Sequence, residues 1–371
     1  MQLIIAGDLV PTQSNIDLFS NADITALLGE ELLSVWNSAD IRIFNLEVPL
    51  TDKEDPIDKC GPNLIAPTST VNGIKALNPS LLTLANNHIL DQGMQGFKST
   101  QDILNKNEIP FIGVGENLSE ASKPYIFQKD GLKIGIYACA EHEFSIATKN
   151  TSGANPFDPL ESFDHIVTLK SQCDYVIVLY HGGKEHYRFP SPYLQKVCRK
   201  MTEKGADLVV CQHSHCIGAY EQYNGSTIIY GQGNFIFDLS ESEYWQTGLL
   251  VKIIVSGSSR IEFIPICKSG NGIVIANDGQ REKILNELEE RSIKIRDEEF
   301  VEQQYRKLAL ENRNFYLSQI SGFPRWLRGI DKKILHGKLI NSLFNKRKLA
   351  CIRNIIECEA HRELLLKALN E

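Results

Sequence analysis

The sequence predicts an α/β fold, and three observations carry that expectation. Short β-branched or aliphatic runs recur from the first residues onward. Helix-favouring stretches separate the early runs, the alternation expected of strands joined by crossover helices. The later runs follow one another with only turn signals between them, which predicts an antiparallel portion.

In chain order, the runs at 3–6, 41–46, 81–85, 111–114, 133–138, 175–180, 208–211, 227–230, 249–255 and 261–266 read as strands. They are short and dominated by Val, Ile and Leu, with turn residues at their ends. Stretches 24–36, 69–77, 94–105 and 193–204 read as helices. Asn224-Gly225 and Ser256-Gly257 mark hairpin turns between late strands. From 280 to 314 the chain is charge-rich, helix-favouring and free of Gly and Pro. The change of character near 280 divides a catalytic-looking domain (1–280) from a helical, partly basic extension (281–371).

Composition narrows the function. The chain has 371 residues, 42% hydrophobic and 23% charged, ordinary for a globular protein with a sizeable core. A net charge of −7 argues against a nucleic-acid-coating protein. No apolar run approaches the roughly 20 residues needed to span a bilayer. The N-terminus lacks the basic start and small-residue cleavage site of a signal peptide. Nine cysteines, an odd and scattered set, fit a reducing compartment better than a disulfide framework. A cytoplasmic protein is expected.

The informative feature is what ends each strand. Polar residues of metal-ligand type cluster there, where α/β folds build their sites. They are Asp8 after the first run, Asn45 and Glu47 at the second, and Asn86, Asn87 and His88 at the third, with Asp91 three residues on. His181 ends the 175–180 run, His213 and His215 follow 208–211, and Asn234 follows 227–230. Singly, each has a plainer reading. Asp8 could cap a helix, Asn86-Asn87 could be a turn, and His181 could be a loop residue beside two glycines. His213-x-His215 is stronger, because in an extended segment residues two apart point the same way and could face one ion. Jointly, neutral imidazoles with a few carboxylates point to Zn, Mn, Fe or Ni rather than Mg or Ca. A structural zinc site from Cys211, His213, His215 and Cys216 is the alternative, disfavoured by crowding four ligands from six residues around one ion.

The series GD (7–8), NLE (45–47), LANNHxxDxG (84–93), GxGENLxEA (113–121), HGG (181–183), GADLVVxxHSH (205–215) and IIYGQGNFIF (228–237) resembles the CapA-type capsule (poly-gamma-glutamate) synthesis proteins, within the calcineurin-like metallophosphoesterase fold. The resemblance covers roughly residues 1 to 267. It implies a four-layer α/β/β/α sandwich with a dinuclear metal site at the strand ends, holding one or two divalent transition metals (Mn, Zn or Fe). By that resemblance Asp8 and His215 belong to the first metal, Glu47 bridges, and Asn87, His181 and His213 take the second. His88 matches the catalytic histidine outside the metal shell, with Asp8 also grouped with the catalytic residues. Asn45 and Asn234 take supporting or substrate-contact roles. Three positions depart from the wider pattern: Val10 replaces a histidine, Glu47 an aspartate, and Gln212 a glycine.

The chemistry so implied is hydrolysis of a phosphoester in capsule, polysaccharide or natural-product biosynthesis. The same site could serve a peptidase, amide hydrolase or epimerase on a carboxylated or peptide substrate. A non-catalytic polymer-binding scaffold is the third reading. The expected partner is an anionic small molecule or polymer intermediate, and no nucleic acid.

Residues 321–349 hold eight Lys/Arg against one acid, a net +7, which leaves −14 for the rest of the chain. On a helical wheel Trp326, Leu327, Ile330 and Ile334 share one face. Either these helices pack on the main domain, or the segment makes a peripheral contact with the inner membrane or an anionic substrate.

Overall fold

The computed structural model describes residues 1–256 and 258–369. The opening sequence QLIIAGDLV has no polar face, so it suits a strand covered on both sides. It forms β1 (Gln2–Val10), followed by helices α1 (Ile16–Ser20) and α2 (Ile24–Asn37). Strands β2 (Ile41–Leu46), β3 (Leu81–Thr83) and β4 (Phe111–Ile112) add in parallel, with α3 (Val71–Ala76) and α4 (Gly93–Lys106) between them.

The expected single strand at 111–114 is broken. Gly113, at φ 84°, turns the chain out of the sheet, so β5 (Val114–Gly115) pairs elsewhere. A short α5 (Leu118–Ala121) leads to β6 (Tyr125–Lys129) and β7 (Leu132–Ala140), and β8 (Gly153–Ala154) is the antiparallel partner of β5.

The second sheet grows from β7 through α6 (Ser162–Lys170), β9 (Tyr175–His181), α7 (Pro192–Glu203) and β10 (Leu208–Gln212). A hairpin of β11 (Tyr220–Tyr223) and β12 (Ser226–Ile229) completes the order β11-β12-β10-β9-β7-β6. Its turn is the expected Asn224-Gly225, both residues at positive φ. The chain then returns to the first sheet. β13 (Asn234–Phe237) pairs parallel to β1, and β14 (Thr247–Ser256), β15 (Ser258–Ser269) and β16 (Gly272–Ile275) form its antiparallel edge. Gly257, part of the second expected turn, lies outside the described residues.

Three apolar layers hold these elements. Leu3, Ile5, Ile43, Ile136, Ile177 and Val210 interlock between the two sheets. Leu28 and Trp36 of α2 and Phe97 of α4 cover the outer face of the first sheet. Ile166 of α6 with Val197 and Met201 of α7 cover the outer face of the second. The result is the four-layer α/β/β/α order.

Helix α8 (Asp278–Lys294) packs Ile284 and Leu288 against Ile217, Leu249 and Cys267, so it belongs to this body. The compact units therefore divide at Val301 and Glu302 rather than near 280. Composition changes before packing does. After α9 (Glu298–Ile320) come α10 (Arg325–Ile330), a π-helical turn at Asp331–Leu335, α11 (Lys338–Leu343), α12 (Lys346–Glu357) and α13 (Glu359–Leu369). Leu317, Ile340 and Phe344 are the buried centre of the second unit.

Trp36 ties the outer helix layer to the site strands. It is fully buried, stacks on Phe235 with centroids 5.0 Å apart, and donates from Nε1 to the Leu77 carbonyl at 2.7 Å. Trp36→Ala is expected to lower the unfolding free energy by about 3–5 kcal/mol in a urea titration.

Candidate metal centre

Register places the site. Asp8 on β1 lies opposite Asn45 of β2 on one side and Asn234 of β13 on the other. β1 is irregular around Asp8, slipping against β2 between Ile5 and Asp8 and against β13 between Asp8 and Leu9. Such bulges re-aim side chains at sheet ends. Glycine is required beside it, since a Cβ on Gly7 would stand 2.0 Å from the Gly233 carbonyl oxygen. On the second sheet, His181 lies in register between Ala140 and Gln212. The carboxyl ends of both sheets thus face one buried volume.

Two groups of ligand atoms meet there. His181 Nε2 lies 3.0 Å from Asn87 Oδ1, 3.1 Å from Glu47 Oε1 and 3.1 Å from His213 Nδ1. One nitrogen carries at most one proton, so it cannot satisfy all three neighbours. Donor atoms converging this closely are a set that would hold a divalent ion. In the second group His215 Nδ1 lies 2.9 Å from Asn234 Oδ1 and 3.7 Å from Asp8 Oδ2. Glu47 belongs to both groups, with His181 and His213 on one side and Asp8 and His215 on the other.

Glu47 itself is fully buried, and neither carboxylate oxygen has a hydrogen-bond partner. Burial, reinforced by the neighbouring Asp8, pushes its carboxyl up to about 8. At neutral pH it therefore holds a proton unless a cation takes that place. Burial lowers His181, and lowers His213 strongly with help from His181 and His215. Neutral imidazoles beside a carboxylate left without a donor are a fitting donor set for a divalent transition ion.

The surrounding residues are braced in turn. Asn45 is fully buried, donates to Asp8 Oδ1 at 2.8 Å, sits 3.3 Å from His181 Nδ1, and accepts from Asn86 Nδ2 at 3.1 Å. Its amide braces Asp8 and His181, the supporting one of its two expected roles. Asn234 keeps its Oδ1 on His215, while its buried Nδ2 has no partner. His88 stands beside the cluster with Nδ1 2.5 Å from Asp91 Oδ2. Asp91 also accepts from the Leu64 amide at 2.6 Å and from Lys59 Nζ.

Two expectations from spacing change. His213 and His215 are not on an extended segment, because β10 stops at Gln212 and both histidines have positive φ, 82° and 53°. Left-handed backbone sends them apart, ring centroids 6.0 Å from each other, so they join different groups instead of facing one ion. The cysteine alternative is also set aside. Cys211 lies against Cys198, Sγ to Sγ 3.6 Å, and the candidate metal groups among the described residues contain no cysteine.

Several residues at the site have roles that the sequence alone did not assign. Asn86, open to a turn reading, joins the third strand end to the second by bonds to Asn45 Oδ1 and the Leu46 carbonyl. Gln212, in place of a glycine, donates across the sandwich to the Ala6 carbonyl at 3.1 Å. Glu141 accepts from the Gly183 amide and lies 3.4 Å from His213 Nε2, forming a third acidic group with Glu143. Its signal was available as another polar strand end, Ala140-Glu141. Trp245 stacks on His215 at 4.7 Å and donates to His186 Nε2 at 2.8 Å, contacts that no local pattern announces.

The chain is similar to known proteins over most of the first unit. The PGA biosynthesis protein CapA of Bacillus subtilis (strain 168) is 32% identical over 238 residues, covering 62% of this chain and 62% of that protein. The capsule biosynthesis protein CapA of Bacillus anthracis is 30% identical over 203 residues, covering 53% of this chain and 49% of that one. The matches thus take in less than two thirds of either relative. A solved phosphatase structure from Mycoplasma pneumoniae aligns with a TM-score of 0.44 at 16% identity, covering 76% of this chain and 96% of its own. Residues 2–239 match the family described as Bacterial capsule synthesis protein PGA_cap, and the chain belongs to that family.

Proposed function

We propose that this protein is a metal-dependent hydrolase acting on a phosphoester in the synthesis of a capsule or related surface polymer. One observation carries the reading: Glu47, a buried carboxylate with no donor, is shared by two ligand groups. An uncompensated buried carboxylate costs several kcal/mol, roughly, so a fold retains it where a cation offsets the cost. A scaffold that only bound a polymer would have no physical reason to keep it.

When bound, one or two divalent ions would lower the pKa of a coordinated water toward neutrality and offset charge developing on the substrate oxygens. Asn87, His181 and His213 would hold one ion and Asp8 and His215 the other, with Glu47 close to both. Asn234 orients His215 through its 2.9 Å contact. His88 commits Nδ1 to Asp91, which leaves Nε2 to give a proton to the departing oxygen. Glu141 sits where a carboxylate fixes the ring of a ligand histidine, His213. The names of the two Bacillus relatives support a place in polymer synthesis. The same donor set could serve a second reading, in which the cleaved bond is an amide of a carboxylated or peptide substrate.

The purified protein is expected to carry about one to two equivalents of Mn, Fe or Zn and to hydrolyse members of a phosphomonoester and phosphodiester panel. Glu47→Ala should remove the metal. Absence of metal, with no activation by added Mn, Fe, Zn or Co, sinks the proposal; cleavage of acidic peptides alone moves it to the second reading.

His88→Asn should lower kcat by around 10²–10⁴-fold while metal content stays near normal, whereas His213→Ala should lose metal. Equal metal loss in both variants would place His88 among the ligands.

For Glu141→Gln, metal titration of the apoprotein should give affinity reduced by about 10–100-fold with secondary structure unchanged. An unchanged affinity would remove Glu141 from any role at the centre.

A further inference from the structure

The second unit displays what most folded units hide. Trp326, Ile330 and Ile334, spaced four residues apart along α10 and the π-helical turn, are 66%, 39% and 67% exposed. The neighbouring Leu335 is 37% exposed. An apolar stripe of this kind on a helix normally faces a core. Here it is open, although the unit's own buried centre, Leu317, Ile340 and Phe344, lies a few residues away in sequence or space.

The segment that carries the stripe, 321–349, has charge of almost one sign. Seven of the eight basic residues of 321–349 are exposed, Arg328 being half-buried, and among the described residues none of the eight is in an ion pair. The one acid is withdrawn. Asp331 is buried and accepts from the Leu339 and Ile340 amides at 2.9 and 3.3 Å, capping α11 from within. Its charge offsets little of the outward field.

Lys346, Arg347 and Lys348 occupy the first turn of α12, with Asn345 accepting from the Lys348 amide as its cap. The helix dipole disfavours cations at that end. Local stability therefore does not explain the cluster. An anionic partner would. Arg325, Arg328, Lys332 and His336, with Glu311 and the buried Asp331 as the acids, also line a cleft of about 770 Å³; Arg328 donates there from Nη1 to Gln319, while its Nε has no partner. The cleft has room for a phosphate group.

Apolar side chains on an exposed helix, led by Trp and flanked by unpaired cations, have the chemistry of a surface that lies in the headgroup layer. Among the described residues no helix is long and apolar enough to cross a membrane. We propose that the segment 321–349 docks the protein on an anionic lipid bilayer. Trp326, Ile330 and Ile334 enter the headgroup layer, and the basic residues meet the lipid phosphates. This inference is independent of the metal centre.

The test uses the full chain. Wild-type protein should sediment with vesicles of phosphatidylcholine containing phosphatidylglycerol, release as salt rises, and ignore vesicles of phosphatidylcholine alone. Trp emission should shift to shorter wavelength on binding, and Trp326→Phe should abolish the shift, since Trp36 is fully buried and the half-buried Trp245 stacks on His215 in the other unit. Combined Lys332→Gln, Lys333→Gln, Lys346→Gln and Lys348→Gln should weaken binding by about fivefold per residue, on the order of 10²–10³-fold in total, with the circular dichroism spectrum unchanged. Two results overturn the proposal. One is absence of binding, or binding indifferent to salt and to these substitutions. The other is a wild-type dimer in ultracentrifugation that Trp326→Ala dissociates, which would make a second copy of the chain the occupant of the stripe.

Discussion

Burying the Glu47 carboxylate without a hydrogen-bond donor is the constraint around which the first unit is arranged. Left alone, such a group would be protonated or would draw in a basic side chain. Burial indeed pushes its carboxyl up to about 8, and His181 Nε2 stands 3.1 Å from Oε1. The surroundings also supply Asp8, His213 and His215, each close enough to share a cation with it. The braces then follow. Asn45 fixes Asp8, Asn86 fixes Asn45, and Gln212 ties one sheet to the other beneath the cluster. The polar network is deep because its members must be held against mutual repulsion when no cation is present.

That network explains why the sandwich has two sheets rather than one. A single sheet could offer Asp8, Asn45 and Asn234 in one row, since β1 is flanked by β2 and β13. It could not also offer imidazoles from the opposite side. The second sheet brings His181 and the β10 loop over that row, and the apolar layer between the sheets sets their separation. Positive φ at His213 and His215 adds local strain, of the kind that persists where the surrounding structure over-determines it. The chemistry rests on two sheets meeting at their carboxyl ends.

The second unit follows different physics. Its buried centre is small, and much of its apolar surface is open. Its single acid in the basic segment is used internally as a cap. A net −14 over the remaining residues and +7 over 321–349 make the chain electrostatically two-ended.

Much of the fold was legible in the residues. Strand runs, the Asn224-Gly225 hairpin and the polar residues at strand ends are short-range features, fixed by side-chain type and by neighbours two to four positions away. They sufficed to gather Asp8, Glu47, Asn87, His88, His181, His213 and His215 as candidates. What they could not carry was direction. The alternation rule aimed His213 and His215 at one ion, yet the backbone beyond β10 is left-handed and separates them. Asn45 could be read as a support or a substrate contact, because its contact with Asn86 spans 41 residues. Trp245 on His215, and Glu141 near His213, join residues that no spacing rule connects. The boundary near 280 followed composition, whereas packing of Ile284 and Leu288 carried the first unit on to Val301. The sequence by itself determined which residue types end each strand, because that is local chemistry. The tertiary structure decided which of those ends meet, and at what distance, because only the packing of two sheets sets the contacts between them.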